Sequence, residues 1–386
     1  MSVTAVPGIK ASGVRSGLKE DALDLALVAT ADNYPVAVAG VFTSNKMTAA
    51  PVLVSKRHIE SSNGQAVAVV LNSGNANAGR GEQGERDAEA MCAAVAAELN
   101  CAVDEVLVCS TGIIGISMDI DKILSATPEL ARSLSHEGGT VAAEAILTTD
   151  TRTKEVLIDG DNFVVGGMAK GAAMLRPDMA TMLAVLTTNA AVDPTTLTKL
   201  LQEAVAGSFN ILTVDGAQST NDTVLVLATG NAGRIDEAKI GSALTEACAS
   251  LAYQMAEDAE GHTKVVRIEV VGAASNEEAL KGARQVAECQ LVKCSWYGKN
   301  AYWGRVASEL GSAGIDFDQS KISVSYGGIQ VARNGVELDY DETAMATYMD
   351  EVHIEIVCDL GLGHGHAWIL TNDLTHGYVD ENMGKS

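Results

Sequence analysis

The chain has 386 residues, of which 47% are hydrophobic, and its 27 basic and 50 acidic residues give a formal net charge of −23. A chain of this length suits one large α/β domain or two lobes rather than one small domain. The acid excess argues against nucleic acid and anionic membranes as partners. The seven scattered cysteines contain no C-x-x-C pair and predict reduced thiols rather than a disulfide framework.

The sequence also predicts a cytoplasmic protein. The first residues, MSVTAVPGIKAS, lack the basic and apolar regions of a secretory signal. No stretch approaches the roughly 18 continuous apolar residues that a membrane span requires.

Apolar runs in the first 80 residues predict strands separated by turns. The runs are LDLALVA (23–29), VAVAGVF (36–42) and AVAVVL (66–71). A helix with one apolar face is predicted to follow, because apolar residues recur there at helical spacing. Its apolar residues are Ala88, Met91, Cys92, Val95 and Leu99. The segment EVLVCSTGIIG (105–115) then predicts a strand that ends in a glycine-bearing turn, and KEVLI and FVVGG predict a hairpin.

Helices and strands continue to alternate in the second half of the chain. A long helix over 236–257 is predicted from the spacing of Ile240, Leu244, Ala247, Leu251 and Met255. VVRIEV (265–270) alternates as a strand does. Ser275 and Glu278 form a capping-box pattern, so Glu278 is interpreted as structural. Asn334-Gly335 suits a type I′ turn in a hairpin between ISVSY and VELD. These patterns predict a mixed α/β fold rather than a doubly wound parallel sheet.

Two glycine-rich motifs are poor matches to nucleotide-binding loops. GYVDENMGKS places six residues between Gly377 and Gly384, where a phosphate loop has four. GLGHGH (361–366) lacks the glycine spacing of a dinucleotide site and precedes a predicted strand. His364 and His366 would share one side of an extended segment, but no third ligand is apparent, so no metal site is predicted.

Thr181 lies between DMA (178–180) and an apolar run that predicts a buried strand. It is either an ordinary strand-opening threonine or a nucleophile that chain cleavage exposes. In the second case its own α-amine, with a pKa of about 7.7–8.0, would serve as the base. The small Ala180 leaves the preceding carbonyl open to attack by the Thr181 hydroxyl. Spacing alone leaves both interpretations open.

GGMAKGAAMLRPDMATMLAVLTTNA resembles the signature of the ornithine acetyltransferase (glutamate N-acetyltransferase) family, and the resemblance extends over essentially the whole chain. The other matching segments, in the family's order, are LNSGNANAGRGEQGERDA, VCSTGIIG, AILTTDTRTKEV, DGAQSTNDTVLVLATG, AEGHTK, LVKC, WGRV and TNDLTHGYVDEN. The resemblance implies self-cleavage between Ala180 and Thr181. The products, residues 1–180 and 181–386, would together form one catalytic unit. It also implies the α/β sandwich fold of a group of N-terminal-nucleophile enzymes that includes aminopeptidases.

The resemblance further implies roles for single residues. Thr181 would be the nucleophile that carries the acetyl group, and Thr111 and Gly112 would form the oxyanion hole. Lys170 would meet the substrate carboxylate, and Glu260 would be the acidic residue of the substrate site. Without the resemblance, these positions would suggest a strand end, a solvated lysine and a glutamate at a helix C-terminus, where it opposes the helix dipole.

Other substrate contacts are implied less sharply. Thr148 and Thr149 are both candidates, and the sequence does not separate them. Asn382 and Ser386 match the family's tail, although Ser386 follows Asn382 by four residues where the family usually has five. Two further departures are Asn300-Ala301-Tyr302, where the family usually has Asp-Pro-Asn, and the missing glycine before Glu260.

The implied reaction is a double displacement from N2-acetylornithine to glutamate, which releases ornithine and N-acetylglutamate. No cofactor or metal is expected, and acetyl-CoA as a second acetyl donor stays open. The two fragments would associate as a heterotetramer containing two of each. The alternatives are a paralogue that acetylates another amino acid, a related aminopeptidase, and a non-enzymatic binding protein.

Overall fold

The computed structural model describes residues 2–176 and 182–384. Within these residues the chain forms two compact units. The first contains 2–210 and 217–258, and the second contains 211–216 and 259–384. The strands on both sides of position 181 belong to the first unit, so the unit boundary does not coincide with the predicted cleavage position.

The first unit carries ten strands and six helices in its described residues. The strands are β1 (Ile9–Val14), β2 (Leu25–Thr30), β3 (Val36–Phe42), β4 (Gln65–Ala66), β5 (Ala68–Asn72), β6 (Val106–Ser110), β7 (Lys154–Gly160), β8 (Phe163–Lys170), β9 (Leu183–Thr188) and β10 (Thr223–Ala228). The helices are α1 (Ala50–Ser61), α2 (Gly81–Leu99), α3 (Ile120–Arg132), α4 (Gly139–Ala145), α5 (Pro194–Ala206) and α6 (Glu237–Ala256).

Two mixed sheets face each other in this unit. One has the order β1-β2-β5-β6 and the other the order β4-β3-β10-β9-β8-β7. Pairing is antiparallel except for β5 with β6 and β9 with β10, which are parallel. Alternate residues of β2 enter different apolar clusters: Ala26 and Val28 pack with residues of the second sheet, whereas Leu25 and Leu27 pack with α2 and α3. Helices α5 and α6 pack on the second sheet, which gives the layer order helix–sheet–sheet–helix.

The second unit is built on one six-stranded sheet with the order β14-β13-β12-β15-β11-β16. Its strands are β11 (Val265–Ala273), β12 (Ser323–Tyr326), β13 (Ile329–Arg333), β14 (Val336–Glu337), β15 (His353–Asp359) and β16 (Gly365–Asn372). Its helices are α7 (Asn276–Glu288), α8 (Gln290–Tyr297), α9 (Trp303–Ser312), α10 (Glu342–Met349) and α11 (His376–Glu381).

Short 3₁₀ turns are formed by Val3–Ala5, Val103–Glu105 and Phe209–Ile211.

The hydrophobic periodicity predicted the main elements correctly. All five apolar residues assigned to the face of α2 are buried, as are the five assigned to α6. The alternation in β11 is also confirmed, because Val266, Ile268 and Val270 are fully buried while Arg267 is half-buried. The three mixed sheets confirm the mixed α/β class. All seven cysteines are free.

Two details of the prediction were wrong, and a third was correct only in part. Helix α1 lies among the first 80 residues, where only strands and turns were predicted, and Pro51 stands in its first turn. The Asn334-Gly335 turn joins β13 to β14, and not ISVSY to VELD, because β13 lies between them. Both turn residues have positive φ, 53° and 72°, as a type I′ turn requires.

The third detail concerns the capping box of α7. The Ser275 hydroxyl accepts a hydrogen bond from the Glu278 N–H at 3.2 Å, as predicted. The Glu278 carboxylate, however, accepts from the Asp316 N–H at 3.1 Å. Glu278 is therefore structural, but it ties α7 to a neighbouring loop. Among the described residues, no helix is both long and apolar enough to span a bilayer.

Substitution in the central strand should cost far more than substitution at the sheet edge. Leu225 is fully buried in β10, between β3 and β9. Leu225→Ala should lower the free energy of unfolding by about 2–5 kcal/mol, since it leaves a cavity between the two sheets. Val336→Ala, on the exposed edge strand β14, should change it by about 0.5 kcal/mol or less. Denaturant unfolding measures both, and equal losses would contradict the assigned core.

Candidate active site

The turn after β6 places Thr111 and Gly112 at the end of a buried strand. Thr111 is 2% exposed, and its N–H donates to the Asn72 carbonyl at 3.0 Å. Gly112 has φ +126°, and a Cβ there would lie 2.4 Å from the Gly74 carbonyl carbon and 2.6 Å from the Asn75 nitrogen. Only glycine fits this conformation and this close approach. Among the described residues, none accepts a hydrogen bond from the Gly112 N–H, so this donor can serve a bound group.

Lys170 ends β8 and points into the first unit rather than into solvent. Its side chain is 3% exposed, so the interpretation as a solvated lysine is wrong. The ammonium donates to the hydroxyl of Thr148 at 2.6 Å and to that of Thr111 at 3.4 Å. Lys170 pairs with Leu183 of β9, two residues beyond Thr181.

The structure separates the two threonines that the sequence could not. Thr148 contacts the Lys170 ammonium and also approaches Asp150, with 3.5 Å between its hydroxyl and Oδ2. Thr149 makes no corresponding contact with Lys170 among the described residues. Thr148 is therefore the member of the pair that belongs to this cluster.

Asp150 is a member of the cluster that the sequence did not reveal. Its Oδ1 accepts from the Lys154 ammonium and from the Gly171 N–H, both at 2.7 Å. Its Oδ2 accepts from the Thr148 N–H at 3.2 Å and lies 3.7 Å from the Lys170 ammonium. Burial alone would raise the pKa of this carboxyl, but the charges of Lys170 and Lys154 outweigh it and hold the pKa below its ordinary value. Asp150 is thus ionised and holds Lys170 in place.

A second carboxylate completes this buried network. The fully buried Lys154 ammonium also lies 2.5 Å from Oδ2 of Asp258, just beyond α6. Asp258 in turn accepts from the N–H of Thr151 at 3.0 Å and from its hydroxyl. Two lysines and two aspartates therefore balance in charge. Buried ion pairs of this kind tolerate the loss of water only when their hydrogen bonds are satisfied.

Strand β9 begins at Leu183, two residues after Thr181, which follows the bond predicted to be cleaved. Ala180 and Thr181 lie outside the described residues. Met182 is fixed, because its N–H donates to Oδ1 of Asp222 at 2.9 Å and its carbonyl accepts from the Thr223 N–H at 3.2 Å. The parallel β9–β10 pairing produces this arrangement, since Leu183 is in register with Thr223.

Asn221 connects this strand entrance to the glycine turn. Its amide donates to the Ala76 carbonyl at 2.6 Å and to the Ser110 carbonyl at 2.9 Å. Ser110 directly precedes Thr111, so the start of β10 and the end of β6 are held together. The segment STND (219–222) carried part of the family resemblance. The separate contacts of its Asn221 and Asp222, however, depend on strand register, which a motif does not show.

Glu260 and Asn382 form a pair within the second unit. The Asn382 amide donates to Glu260 Oε2 at 2.6 Å and to the Tyr378 carbonyl at 2.9 Å. Glu260 is 6% exposed and lies beyond α6, which ends at Ala256. The helix-dipole argument for this residue was therefore wrong. Ser386 lies outside the described residues.

Tyr378 of α11 extends this polar group, because its hydroxyl donates to Asp215 Oδ2 at 3.2 Å. Burial and the carboxylates of Asp215 and Glu260 raise the pKa of the Tyr378 hydroxyl above its ordinary value. The phenol therefore stays neutral and remains a hydrogen-bond donor.

The turn that differs from the family's Asp-Pro-Asn and the histidine His366 both make local contacts. At the altered turn, the Tyr302 N–H donates to the Asn300 carbonyl at 2.9 Å, and the Arg305 guanidinium lies 5.0 Å from the Tyr302 ring centre. His366 contacts Glu269 at 2.6 Å. Within 2–176 and 182–384, no three histidine, cysteine, aspartate or glutamate side chains group as metal ligands.

Comparison with known families gives a match over nearly the entire chain. The model of the ArgJ family matches residues 10–384. The chain belongs to the ArgJ family. ArgJ-family relatives named arginine biosynthesis bifunctional protein ArgJ include one from Mycobacterium tuberculosis, 44% identical over all of this chain and 96% of the relative. Another, from Streptomyces coelicolor, is 43% identical over the full length of both chains.

Solved structures with similarity to this ArgJ-family chain include ArgJ from Bacillus halodurans. It is 35% identical, covers 51% of this chain and 95% of its own, and has a TM-score of 0.49. Ornithine acetyltransferase from Mycobacterium tuberculosis, complexed with ornithine, is 43% identical, covers 46% of this chain and 94% of its own, and has a TM-score of 0.44. A Burkholderia β-aminopeptidase is 15% identical, covers 67% of this chain and 87% of its own, and has a TM-score of 0.44.

Loss of the Asp150 charge should destabilise the ArgJ-family chain strongly. Asp150→Asn leaves the buried lysines with an incomplete set of anions and should lower the free energy of unfolding by about 3–5 kcal/mol at pH 7. Because the folded-state pKa of Asp150 is depressed, this stabilisation is present above the unfolded carboxyl pKa of about 3.9. It is lost as the pH falls through the lower folded value.

Denaturant unfolding from pH 7 to pH 3 measures the difference in the free energy of unfolding between wild type and Asp150→Asn. This difference should become smaller below about pH 4. Asp161→Asn is the matched control, because Asp161 is an exposed carboxylate that pairs with the exposed Lys239. It should change stability little. An Asp150→Asn protein as stable as wild type at pH 7 would contradict the ionised network.

Proposed function

We propose that this ArgJ-family protein transfers an acetyl group from N2-acetylornithine to glutamate through an ester on Thr181. Cleavage between Ala180 and Thr181 would first expose the nucleophile and its α-amine. The observation that carries the proposal is the cluster of the buried Lys170 and Thr111 with the half-buried Thr148, beside the strand that follows Thr181. The relatives named for arginine biosynthesis and the ornithine complex of a 43% identical protein support the choice of substrates.

The described residues suit the charges that develop in acetyl transfer. The Lys170 ammonium would meet the substrate carboxylate, and Thr148 would hold the ammonium in that direction. Thr111 Oγ1 accepts from Lys170, which leaves the hydroxyl hydrogen to donate elsewhere. That hydrogen and the Gly112 N–H would bind the oxyanion, each worth about 3–4 kcal/mol by analogy with other acyl-transfer sites.

The reaction would run as two matched half-reactions. The Thr181 oxygen attacks the acetyl carbonyl while its proton passes to the α-amine. The tetrahedral intermediate then collapses, the C–N bond breaks, and ornithine leaves with that proton. Glutamate next attacks the ester through its amine, and N-acetylglutamate forms as the Thr181 hydroxyl is restored. The chemistry requires a nucleophile, a base and an oxyanion hole, and no metal or cofactor takes part.

Glu260, Asn382 and Ser386 are proposed as further substrate contacts, as the family resemblance implies. Glu260 carries a nearly buried carboxylate that would attract the ammonium of ornithine, and Asn382 would hold that carboxylate by its hydrogen bond. Ser386 is assigned to the same role as the family's hydroxyl. Of the two candidate threonines, Thr148 is proposed as the substrate contact, because its hydroxyl accepts from the Lys170 ammonium.

The cut chain would stay associated, because β9 pairs with β8 on the other side of the cleavage position through Lys170–Leu183 to Val165–Thr188. Sheet hydrogen bonds and the shared core would hold residues 1–180 to 181–386. We propose a heterotetramer with two copies of each fragment, working in the cytoplasm. Acetyl-CoA as a second acetyl donor would give the second activity of a bifunctional enzyme.

Maturation should be visible directly. Purified protein should give two bands on a denaturing gel, and sequencing of the larger fragment should begin Thr-Met-Leu. Thr181→Ala should remain a single chain without transferase activity, since it lacks the hydroxyl. Thr195→Ala, at an exposed threonine in α5, is the matched control and should cleave normally. Full activity from an uncleaved wild-type chain would refute the mechanism.

Acetyl exchange tests the reaction itself. With labelled N2-acetylornithine and glutamate, the protein should form labelled N-acetylglutamate, and without an acceptor it should gain one acetyl group on the 181–386 fragment. Parallel double-reciprocal lines are expected for this double displacement. Intersecting lines without an acetylated fragment would indicate a ternary complex. Parallel assays with acetyl-CoA, other amino acids and peptides separate the bifunctional enzyme, the paralogue and the aminopeptidase.

A further inference from the structure

A second lysine, Lys19, lies close to the candidate site and takes no part in the proposed mechanism. It belongs to the loop between β1 and β2 and is half-buried. Its ammonium donates to the Leu147 carbonyl at 3.0 Å. Leu147 directly precedes Thr148, whose hydroxyl accepts from the Lys170 ammonium. The two lysines therefore approach the same short segment of the chain.

The side chain of Lys19 also lies next to the glycine turn of the candidate site. Gly74 has φ +98°, and a Cβ at this position would lie 3.1 Å from Cγ of Lys19. Gly74 is also the residue against which Gly112 packs, because a Cβ on Gly112 would lie 2.4 Å from the Gly74 carbonyl carbon. One glycine thus lies next to both the Lys19 side chain and the Gly112 turn. This contact places Lys19 at the candidate site independently of the Leu147 hydrogen bond.

Asp24 holds the loop that carries Lys19. Its fully buried carboxylate accepts from the N–H groups of Ser16 at 2.5 Å, Gly17 at 3.0 Å and Lys19 at 2.9 Å. The Asp24 carbonyl accepts from the Ser73 N–H at 2.9 Å. The backbone of Lys19 is therefore fixed beside Ser73, and its side chain extends from a fixed point.

The Lys19 ammonium has an incomplete set of partners. An ammonium carries three donors. The described residues offer this one a single hydrogen-bond acceptor, the neutral Leu147 carbonyl, and none of their carboxylates forms an ion pair with it. Lys170, by contrast, already contacts two hydroxyls and Oδ2 of Asp150. Lys19 therefore has more donors left for a bound anion than Lys170 has.

Charges of both signs act on the Lys19 ammonium from a greater distance. Burial, which is the largest effect, and the charge of Lys170 lower its pKa. The carboxylates of Asp24, Asp150 and Glu144 act in the opposite direction. Two partly desolvated cations in one site repel each other, and a carboxylate bound to both would offset the repulsion and the lost water.

A purely structural role would use the same hydrogen bond. Leu147 follows α4, and a cation is favourable at a helix C-terminus. This role accounts for one donor of Lys19 and not for the two that remain. It also predicts a loss of stability without any change in substrate binding, which an experiment can separate.

We propose that Lys19 is a substrate contact, and that its ammonium and that of Lys170 together bind the α-carboxylate of the amino acid. The proposal rests on the proposed function, because the substrates of that function supply the carboxylate. N2-acetylornithine and glutamate share this group, which lies two bonds from the nitrogen that gives or takes the acetyl group. A carboxylate bound there lies close to the oxyanion hole, as the position of Lys19 beside the Gly112 turn requires. Its two oxygens offer about four acceptor sites, enough for two ammonium groups.

The experiment compares wild type with Lys19→Met and Lys19→Gln for self-cleavage and acetyl exchange. Met removes the ammonium, whereas Gln removes the charge but keeps a donor for the Leu147 carbonyl. Both variants should cleave as wild type does, because cleavage involves no substrate carboxylate. In both, kcat/KM should fall about ten- to a hundredfold for N2-acetylornithine and for glutamate alike, mainly through KM. Lys19→Arg should restore part of the loss.

Calorimetry supplies a readout that does not depend on turnover. The compound 1,4-diaminobutane is ornithine without its carboxylate. Wild type should bind ornithine more tightly than 1,4-diaminobutane. Lys19→Met should lose about ten- to a hundredfold of the affinity for ornithine and none of the affinity for 1,4-diaminobutane.

Lys122→Met is the matched control, because the exposed Lys122 donates to the Gly17 carbonyl of the same loop at 2.8 Å. It should leave acetyl exchange and ornithine binding unchanged. The proposal is overturned if both neutral Lys19 variants transfer like wild type, if only one of the two substrates is affected, or if the affinities for both ligands fall equally. It is also overturned if both variants fail to fold or to cleave, since Lys19 is then structural. Failure of the proposed function would be distinct, because wild type itself would then show no acetyl exchange.

Discussion

The candidate site depends on the carboxylate of Asp150, which binds two buried lysines at once. Lys154 secures one oxygen, with Asp258 as its second partner, and Lys170 lies near the other. A lysine side chain has four rotatable carbons, and its ammonium would otherwise turn towards water. Held by Asp150 and Thr148, the Lys170 ammonium stays beside Thr111. The position of the Lys170 charge thus depends on Asp150 and Thr148.

The second constraint is the parallel pairing of β9 with β10. Parallel strands begin at the same edge of a sheet, so Met182 and Asp222 become neighbours although 40 positions separate them in the chain. Asn221 extends the connection to Ser110 at the end of β6. The entrance of β9 and the Thr111-Gly112 turn are consequently held at a fixed distance. An acyl-transfer site needs this fixed relation between nucleophile and oxyanion donors, because small displacements are costly in rate.

The sequence predicted those parts of the molecule that local patterns determine. Periodicity identified α2, α6 and β11, whereas α1 was missed because its β-branched residues resemble a strand. Motif resemblance identified Thr111, Gly112 and Lys170, which the structure brings together. It could not choose between Thr148 and Thr149, since that choice depends on which side chain faces Lys170. Asp150 and Asp222 lay within matching motifs, but their contacts follow from long-range pairing and strand register that no local pattern contains.

Asp150 and Asp222 are both buried carboxyls of the first unit, but their pKa values are shifted in opposite directions. The cations next to Asp150 lower the pKa of its carboxyl. Burial raises the pKa of the Asp222 carboxyl, although the hydrogen bonds from Met182 and Ser219 and the charge of Lys170 act in the opposite direction. Stability alone would favour apolar residues at both positions, because burying charge is costly. Carboxyls whose pKa values are pushed apart within one site commonly divide the roles of fixed anion and proton-linked group. The fixed anion here holds Lys170 before any chemistry occurs.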